Sequence, residues 1–426
     1  MNKKFIMIFL IILIVGGLTA GVIALYPYNP TAPPLALEEG FTESGMQEVV
    51  SANNEFAFDL YNEIKLEKPS DNILFSPYSL SSAFAMVYEG AKENTKEEIK
   101  EVFHFPETNI LRPNFAAIYN QTNALNKNYL LRTGNALWVE ETFPLIKDYS
   151  KNVESYYGGK SVNLDFINKT EASRKTINDF ISEQTNKKIP ELIEQGILSP
   201  VTRLVLTNAI YFEGEWLVPF NKSHTKDLDF KTDSLDIIKS SMMVLKADAI
   251  KDSKHNFKYA DLNSLQILEF PYKENLVMTF ILPSENIASL GPITLEKYNS
   301  WKDGLENSNN RIEYISFPKF KFDTEYTLNE HLIKMGMPDA FNEQANFQGI
   351  SKESLFISIV IHKAYIEVDE QGTKAAAATA VVMDLTSIGP PSYRTKFIAD
   401  HPFLFLIEDN RTGEILFLGE VNNPSS

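Results

Sequence analysis

Residues 370–391 read Glu370-Gln-Gly-Thr-Lys-Ala-Ala-Ala-Ala-Thr-Ala-Val-Val-Met-Asp-Leu-Thr-Ser-Ile-Gly-Pro-Pro391. As a plain surface connection the stretch is long, and loops of that length inside a compact domain usually carry function. Alanine is the best helix former, so part of it would also tolerate a helix. Taken with the period of a strand, however, Thr373, Ala375, Ala377, Thr379, Val381, Met383 and Leu385 share one face, and each is small or apolar. The other face holds Lys374, Ala376, Ala378, Ala380, Val382 and Asp384, so both charges point the same way. That division suits a strand lying between a core and water rather than a solvated loop. Gly372, just ahead of it, supplies a hinge.

Around this stretch the chain alternates strongly apolar runs with turns. Strands are expected at 201–212, 265–272, 276–282, 311–322, 361–368, 403–407 and 415–421, the last two joined by a hairpin containing Thr412-Gly413. Helical patterns come earlier: Val49, Phe56, Leu60 and Ile64 share a face. Thr95 with Glu98, and Thr327 with Glu330, have the spacing of a capping box. Helices first and strands afterwards predict an α+β architecture around large sheets. No second linker and no internal repeat divides the region after residue 45, so 46–426 is expected to be one body.

Of the 426 residues, 40 are Lys or Arg and 56 are Asp or Glu, a net charge of −16. Nucleic acid is thereby disfavoured as a partner, since phosphate binding needs a concentrated basic face. Cysteine is absent, which excludes disulfides, thiolate catalysis and Cys-containing metal sites. The six histidines (His104, His224, His255, His331, His362, His401) never stand at metal-ligand spacing. Gly158-Gly159-Lys160-Ser161 looks like the end of a phosphate-binding loop, but the glycine required upstream is Glu154. No Gly-x-Ser-x-Gly elbow occurs. The expectation is a protein that is not an enzyme and uses no cofactor and no metal.

At the N-terminus, Lys3 and Lys4 precede Phe5–Leu25, a run of 21 residues without charge. About 20 apolar residues span a bilayer, which favours a retained anchor. Gly16, Gly17 and Gly21, with small residues around Ala20 and Ala24, suit a cleaved signal instead. Either way the remainder is expected outside the cytoplasm, secreted or held at the cell surface. Residues 26–45, with four prolines, read as an extended spacer. Asn120, Asn168, Asn221 and Asn410 are sequons, in keeping with export.

Six blocks, in order, resemble the serpins, the family of serine protease inhibitors. They are 72–79 (NILFSPYS), 207–216 (TNAIYFEGEW), 268–272 (LEFPY), 335–341 (MGMPDAF), the hinge from His362-Lys363-Ala364 through Glu370 to Thr379, and 397–403 (FIADHPF). The likeness runs from about Phe56 to Pro424 and is that of an inhibitory, prokaryotic-looking member. It implies a serpin fold with three β-sheets, about nine helices and an exposed reactive loop near the C-terminus, here about residues 370–396. It also implies suicide inhibition: a target protease attacks the loop and forms an acyl-enzyme, and the cut loop enters the main sheet as a new strand. The partner would be a serine protease held covalently, the inhibitor a monomer at risk of polymerising.

What the family does comes over residue by residue. Glu370, Gly372, Thr373, Ala375, Ala376, Ala377, Ala378 and Thr379 match the hinge and first inserting residues. Fourteen residues on from Gly372, the family's usual spacing, puts the scissile bond at Thr386–Ser387. Uncharged Thr386 argues against a trypsin-like pocket and favours an elastase-like or subtilisin-like enzyme, with chymotrypsin-like attack after Leu385 or Met383 second. Ser79, Asn208 and His362 match a polar cluster beneath the opening of the main sheet. Trp216 and Glu370 match its upper entrance, with Lys319 as the partner of that Glu. Lys374 departs from the Glu common in family inhibitors, on the solvent face of the strand. A non-inhibitory carrier or chaperone is the competing reading, and the absence of bulky, charged or proline residues on the inserting face speaks against it.

Overall fold

The first helix, Glu43–Glu67, starts where Thr42, in extended conformation, accepts a hydrogen bond from the Gly45 amide. It buries Val49, Phe56, Leu60 and Ile64, the face that the periodicity marks out. It begins inside the stretch read as spacer. The computed structural model describes residues 35–123, 129–253, 255, 257–373 and 395–425, and those from Leu35 onward form one compact unit. The apolar run 5–25 and most of the spacer lie outside the described residues. Among those described, no helix is long and apolar enough to cross a membrane.

The fold is α+β, with nine α-helices among the described residues and three sheets. The six-stranded sheet contains Phe403–Asp409 and Glu414–Val421, every residue of which is buried, explaining why apolar residues stand on both faces of these strands at 403–407 and 415–418. Their turn occupies 410–413, with Gly413 at φ +77°. A four-stranded sheet ends on Lys396–Ile398, which pairs in parallel with Tyr314–Pro318.

The main, seven-stranded sheet positions the candidate site. At its centre Leu204–Glu215 and Ile359–Val368 run parallel, paired from Val205↔Ile359 to Ile210↔Ala364. Outside them lie Phe320–Thr327 on one side and Tyr129–Thr133, Ala136–Glu140 and Lys160–Leu164 on the other. Helix Thr170–Gln184 covers one face with Ile177 and Ile181, which share an apolar cluster with Trp138, Val205, Ala209 and Ile361.

Three sequence expectations need correction. The run 311–322 is two strands in different sheets, Tyr314–Pro318 and Phe320–Thr327. Pro318 has no amide hydrogen to continue a ladder, and the Lys319 amide bonds the Ser241 carbonyl as the chain changes sheet. Neither capping box caps a helix. Thr95 sits inside helix Glu93–Val102, its buried hydroxyl accepting from the Asn346 amide. Thr327 ends a strand, and the following helix, Asn329–Met335, is preceded by Leu328. At Thr95 a distant backbone amide takes the side chain that local spacing assigned to the cap, whereas Thr327 is drawn into the ladder opposite Ile361.

Glu414 opens the last strand with its carboxyl buried beside Asp409, and Oε2 has no hydrogen-bond partner among the described residues. Burial first, then the Asp409 charge, push its pKa well above the usual carboxylate range. A raised folded pKa means stability that is complete below the unfolded value and lost as pH rises through the folded one. Glu414→Gln should therefore raise the melting temperature at pH 8, corresponding to roughly 1–3 kcal/mol, and the gain should vanish near pH 4. Thermal melts across that range check it; a gain that does not depend on pH would contradict the assignment.

Candidate functional site: the opening of the main sheet

Above Ala364 and Ile210 the chain folds back on itself. Residues 369–371 make a tight turn, with amide–carbonyl bonds between Asp369 and Gly372 in both directions. Gly372 and Thr373 then descend between the two central strands, Gly372 opposite Glu215 and Thr373 opposite both Gly214 and Val368. Gly372 is required by space: a Cβ there would lie 2.0 Å from the Gly214 carbonyl oxygen and 2.9 Å from the Glu215 Cα. Thr373 is 1% exposed, and its hydroxyl lies 2.5 Å from the Tyr272 phenol oxygen. Gly372 and Thr373 are thus already seated in the mouth of the sheet.

The entrance is built around Trp216. Its ring stacks on Tyr272 with centroids 4.3 Å apart, its indole N–H donates to the Asp369 carbonyl, and its backbone amide donates to the Gln371 carbonyl. Glu370 turns back to Lys319, 3.0 Å from Nζ to Oε2, and accepts from the Thr225 hydroxyl at 2.8 Å. Burial alone would raise its pKa. Its own backbone amide, Lys319 and Thr225 outweigh that and hold the carboxyl below its ordinary value. The structure brings Trp216, Lys319 and Glu370 together at this end of the sheet.

Lower down, the second polar cluster bridges the paired central strands. His362 is fully buried opposite Asn208. Its Nε2 accepts from the Ser76 amide at 3.1 Å, so the proton sits on Nδ1 and is donated to Asn208 Oδ1. Asn208 Nδ2 reaches Ser79 Oγ at 2.7 Å and Asn135 Oδ1 at 2.6 Å, and Ser79 Oγ donates to Asn135 at 3.1 Å. Burial depresses the His362 pKa to about 3, leaving the ring neutral. Asn135 and Ser76 were missed by the sequence reading. Ser76 did carry a signal, since Ser-Pro at 76–77 is a helix N-cap followed by proline at the first position. Asn135 follows Gly134 between two strand segments and looks like an ordinary turn residue.

Of the other expected residues, Ala375, Ala376, Ala377, Ala378, Thr379, Thr386 and Ser387 lie outside the described residues. Among those described, no group of three or more His, Asp or Glu side chains could hold a metal ion.

With this geometry in view, the comparisons with known proteins are consistent. Residues 51–424 match the family model "Serpin (serine protease inhibitor)". The chain is 41% identical to an uncharacterized serpin-like protein of Methanosarcina mazei, over 88% of each chain. It is 36% identical to the human leukocyte elastase inhibitor, over 89% of this chain and all of that one. Among solved structures, human thyroxine-binding globulin superposes with a TM-score of 0.79 at 30% identity, covering 90% of this chain and 100% of that one. Serpin48 of the insect Tenebrio molitor gives 0.75 at 30%, covering 88% and 98%. The fold and its sheet entrance define a serpin-type architecture. The chain belongs to the serpin family.

Two outcomes follow from the two polar clusters. The unfolded His362 takes up a proton below about pH 6.5 whereas the folded one stays neutral, so acid costs stability. Between pH 7 and 4.5 the penalty should approach roughly 2–3 kcal/mol, and His362→Gln should remove that part of the acid slope in denaturant titrations. At the entrance, Tyr272→Phe deletes the hinge's side-chain bond and should speed amide exchange at Thr373 about fivefold, near 1 kcal/mol. Hydrogen-exchange mass spectrometry of the 365–373 region reads this, and unchanged exchange would rule out a holding role for the phenol.

Proposed function

We propose that this serpin is a suicide-substrate inhibitor of extracellular serine proteases of elastase-, subtilisin- or chymotrypsin-like specificity. The observation that carries the reading is the seat of Gly372 and Thr373 between the two parallel central strands. A loop whose first residues already occupy that gap has only to continue downward to become a central strand. Thr373 fills its place without charge, and Gly372 lets the backbone pass. The elastase inhibitors among its relatives support protease inhibition.

In this reading the protein is bait and not a catalyst. A protease attacks the carbonyl of Thr386 and forms an acyl-enzyme, releasing a peptide that begins at Ser387. The segment from Thr373 onward then enters the sheet, its small inward side chains going to the core. About a dozen strand hydrogen bonds at roughly 0.5–1.5 kcal/mol each give a drop of order 10 kcal/mol, comparable to a domain's whole stability. The acyl bond survives only if insertion drags the protease away and distorts its active site before water hydrolyses it, so a hinge already in place favours trapping. Glu370 and Lys319 hold the turn from which the inserted strand would hang, and the His362–Asn208 pair must part as the sheet admits it. Residues 5–25 would export the body and, if retained, tether it to the outer face of a membrane.

A carrier function is the second reading, because thyroxine-binding globulin, solved in complex with thyroxine, shares the fold. Incubating the protein with elastase, subtilisin, chymotrypsin and trypsin separates the two on denaturing gels. We expect a covalent band with an elastase- or subtilisin-like enzyme and a released peptide whose mass begins at Ser387. Clean cleavage by every enzyme, without a covalent band, would overturn inhibition and favour the carrier.

A further inference from the structure

The segment ahead of the first helix is clamped rather than loose. Asn120, on helix Thr108–Asn123, grips the backbone of Ala36 from both sides: the Ala36 amide donates to Oδ1 at 2.7 Å, and Nδ2 donates to the Ala36 carbonyl at 3.0 Å. The same Nδ2 reaches Glu38 at 2.5 Å. One residue on, the Leu37 amide donates to the Ser155 carbonyl, on the neighbouring helix Lys147–Tyr157. The Ala36 methyl is buried with Ala116 and Tyr119, against Tyr156. At the other end, the Thr42 amide donates to Asn114 Oδ1 at 3.0 Å. Gly45 permits this approach, since a Cβ there would lie 2.3 Å from Asn114 Nδ2. Residues 36–42 therefore bind two helices to the start of a third.

Those helices belong to different sides of the sheet opening. Thr108–Asn123 precedes strand Tyr129–Thr133 and packs on it, and Lys147–Tyr157 packs on Lys160–Leu164. Both strands lie on the Leu204–Glu215 side of the gap. Helix Glu43–Glu67 packs on Thr108–Asn123, but also on helix Asn329–Met335, which follows the far-side strand Phe320–Thr327, and on strand Glu414–Val421. That strand pairs with Ile73–Phe75, whose Leu74 carbonyl accepts from Thr324 on the far side of the gap. Admitting one more strand separates the two sides by about 4.8 Å. Helix packing can slide by shear. A backbone held from both faces by one amide cannot follow without breaking its hydrogen bonds.

We propose that residues 35–42 form a strap, clamped by Asn120, that resists opening of the main sheet, so that release of the strap speeds strand insertion. The inference rests on the inhibitor reading above, in which the sheet opens at all. It also gives Asn120 a task incompatible with its sequon: an attached glycan would replace one of the two Nδ2 hydrogens and force a sugar between Ala36 and Glu38.

The test uses the full-length, uncleaved protein and a fluorescent synthetic peptide with the sequence of residues 373–385, whose uptake is followed by anisotropy and native gels. Asn120→Ala removes the clamp, and Leu37→Pro independently removes the amide given to Ser155. Each should speed peptide uptake by about tenfold, the effect of losing one or two hydrogen bonds that only the closed state makes. The double variant should be no faster than either single one, because both release the same strap, whereas two unrelated weakenings would multiply. Uptake by all forms at the wild-type rate, multiplied effects, or a glycan found on Asn120 would overturn the strap while leaving the inhibitor reading intact. If no form takes up the peptide, the sheet does not open and both readings fall.

Discussion

Two parallel strands whose mutual pairing ends partway along their length are the constraint on which this structure turns. Among the described residues, Leu204–Glu215 and Ile359–Val368 pair only as far as Ile210 and Ala364, and above that point Gly372 and Thr373 lie between them. Backbone amides and carbonyls inside a protein must be satisfied, so the upper halves of these strands need a third strand and the lower halves do not. The sheet thus has a closed end and an entrance, with the chain that fills the entrance continuous with one of its walls. The turn at 369–371, the Glu370–Lys319 pair and the Trp216–Tyr272 stack all fix that folded-back start.

The buried polar network beneath the entrance has a different logic. His362 and Asn208 face each other across the last part of the sheet that is still zipped. A hydrophobic pair there would hold the strands as well in the closed state. A neutral imidazole between one donor and one acceptor couples closure to a particular tautomer and to helix Pro77–Gly90, through Ser76 and Ser79. Parting the strands would leave four side chains needing new partners together, so an opening there would be cooperative rather than gradual.

Much of this was legible in the chain itself, for physical reasons that also mark the limits. The central and six-sheet strands announce themselves because burial on both faces puts apolar residues at consecutive positions, and the first helix because its stripe repeats at the helical period. The alternation after Gly372 pointed to a segment prepared for a buried face, and Thr373 is the one inward residue whose seat is described. Family likeness supplied His362, Asn208, Ser79, Trp216, Glu370 and Lys319, roles that spacing alone would not give. What escaped was set by partners far away in sequence. Asn135 looks like a turn residue until the fold brings Asn208 within 2.6 Å. Thr95 satisfies a capping rule locally yet answers to Asn346. Asn120 reads as a sequon, and only the return of Ala36 across helix Thr108–Asn123 makes it a clamp.

Where the molecule uses apolar contacts and where it uses hydrogen bonds then becomes intelligible. Apolar burial is nearly indifferent to direction and scales with area, so Ile177 and Ile181 can shift along Val205 and Ala209 while little surface is exposed to water. Hydrogen bonds weaken steeply once distance and angle are lost, which makes them unsuited to a sliding surface and well suited to a catch. Directional contacts of this kind occur at three points that a widening sheet would have to disturb: Tyr272 on Thr373, His362 on Asn208, and Asn120 on Ala36. A barrier concentrated in a few such contacts can be high while the helices and sheets on either side stay packed. In the proposed inhibitor, that arrangement would let the chain rest in a less stable shape without unfolding from it.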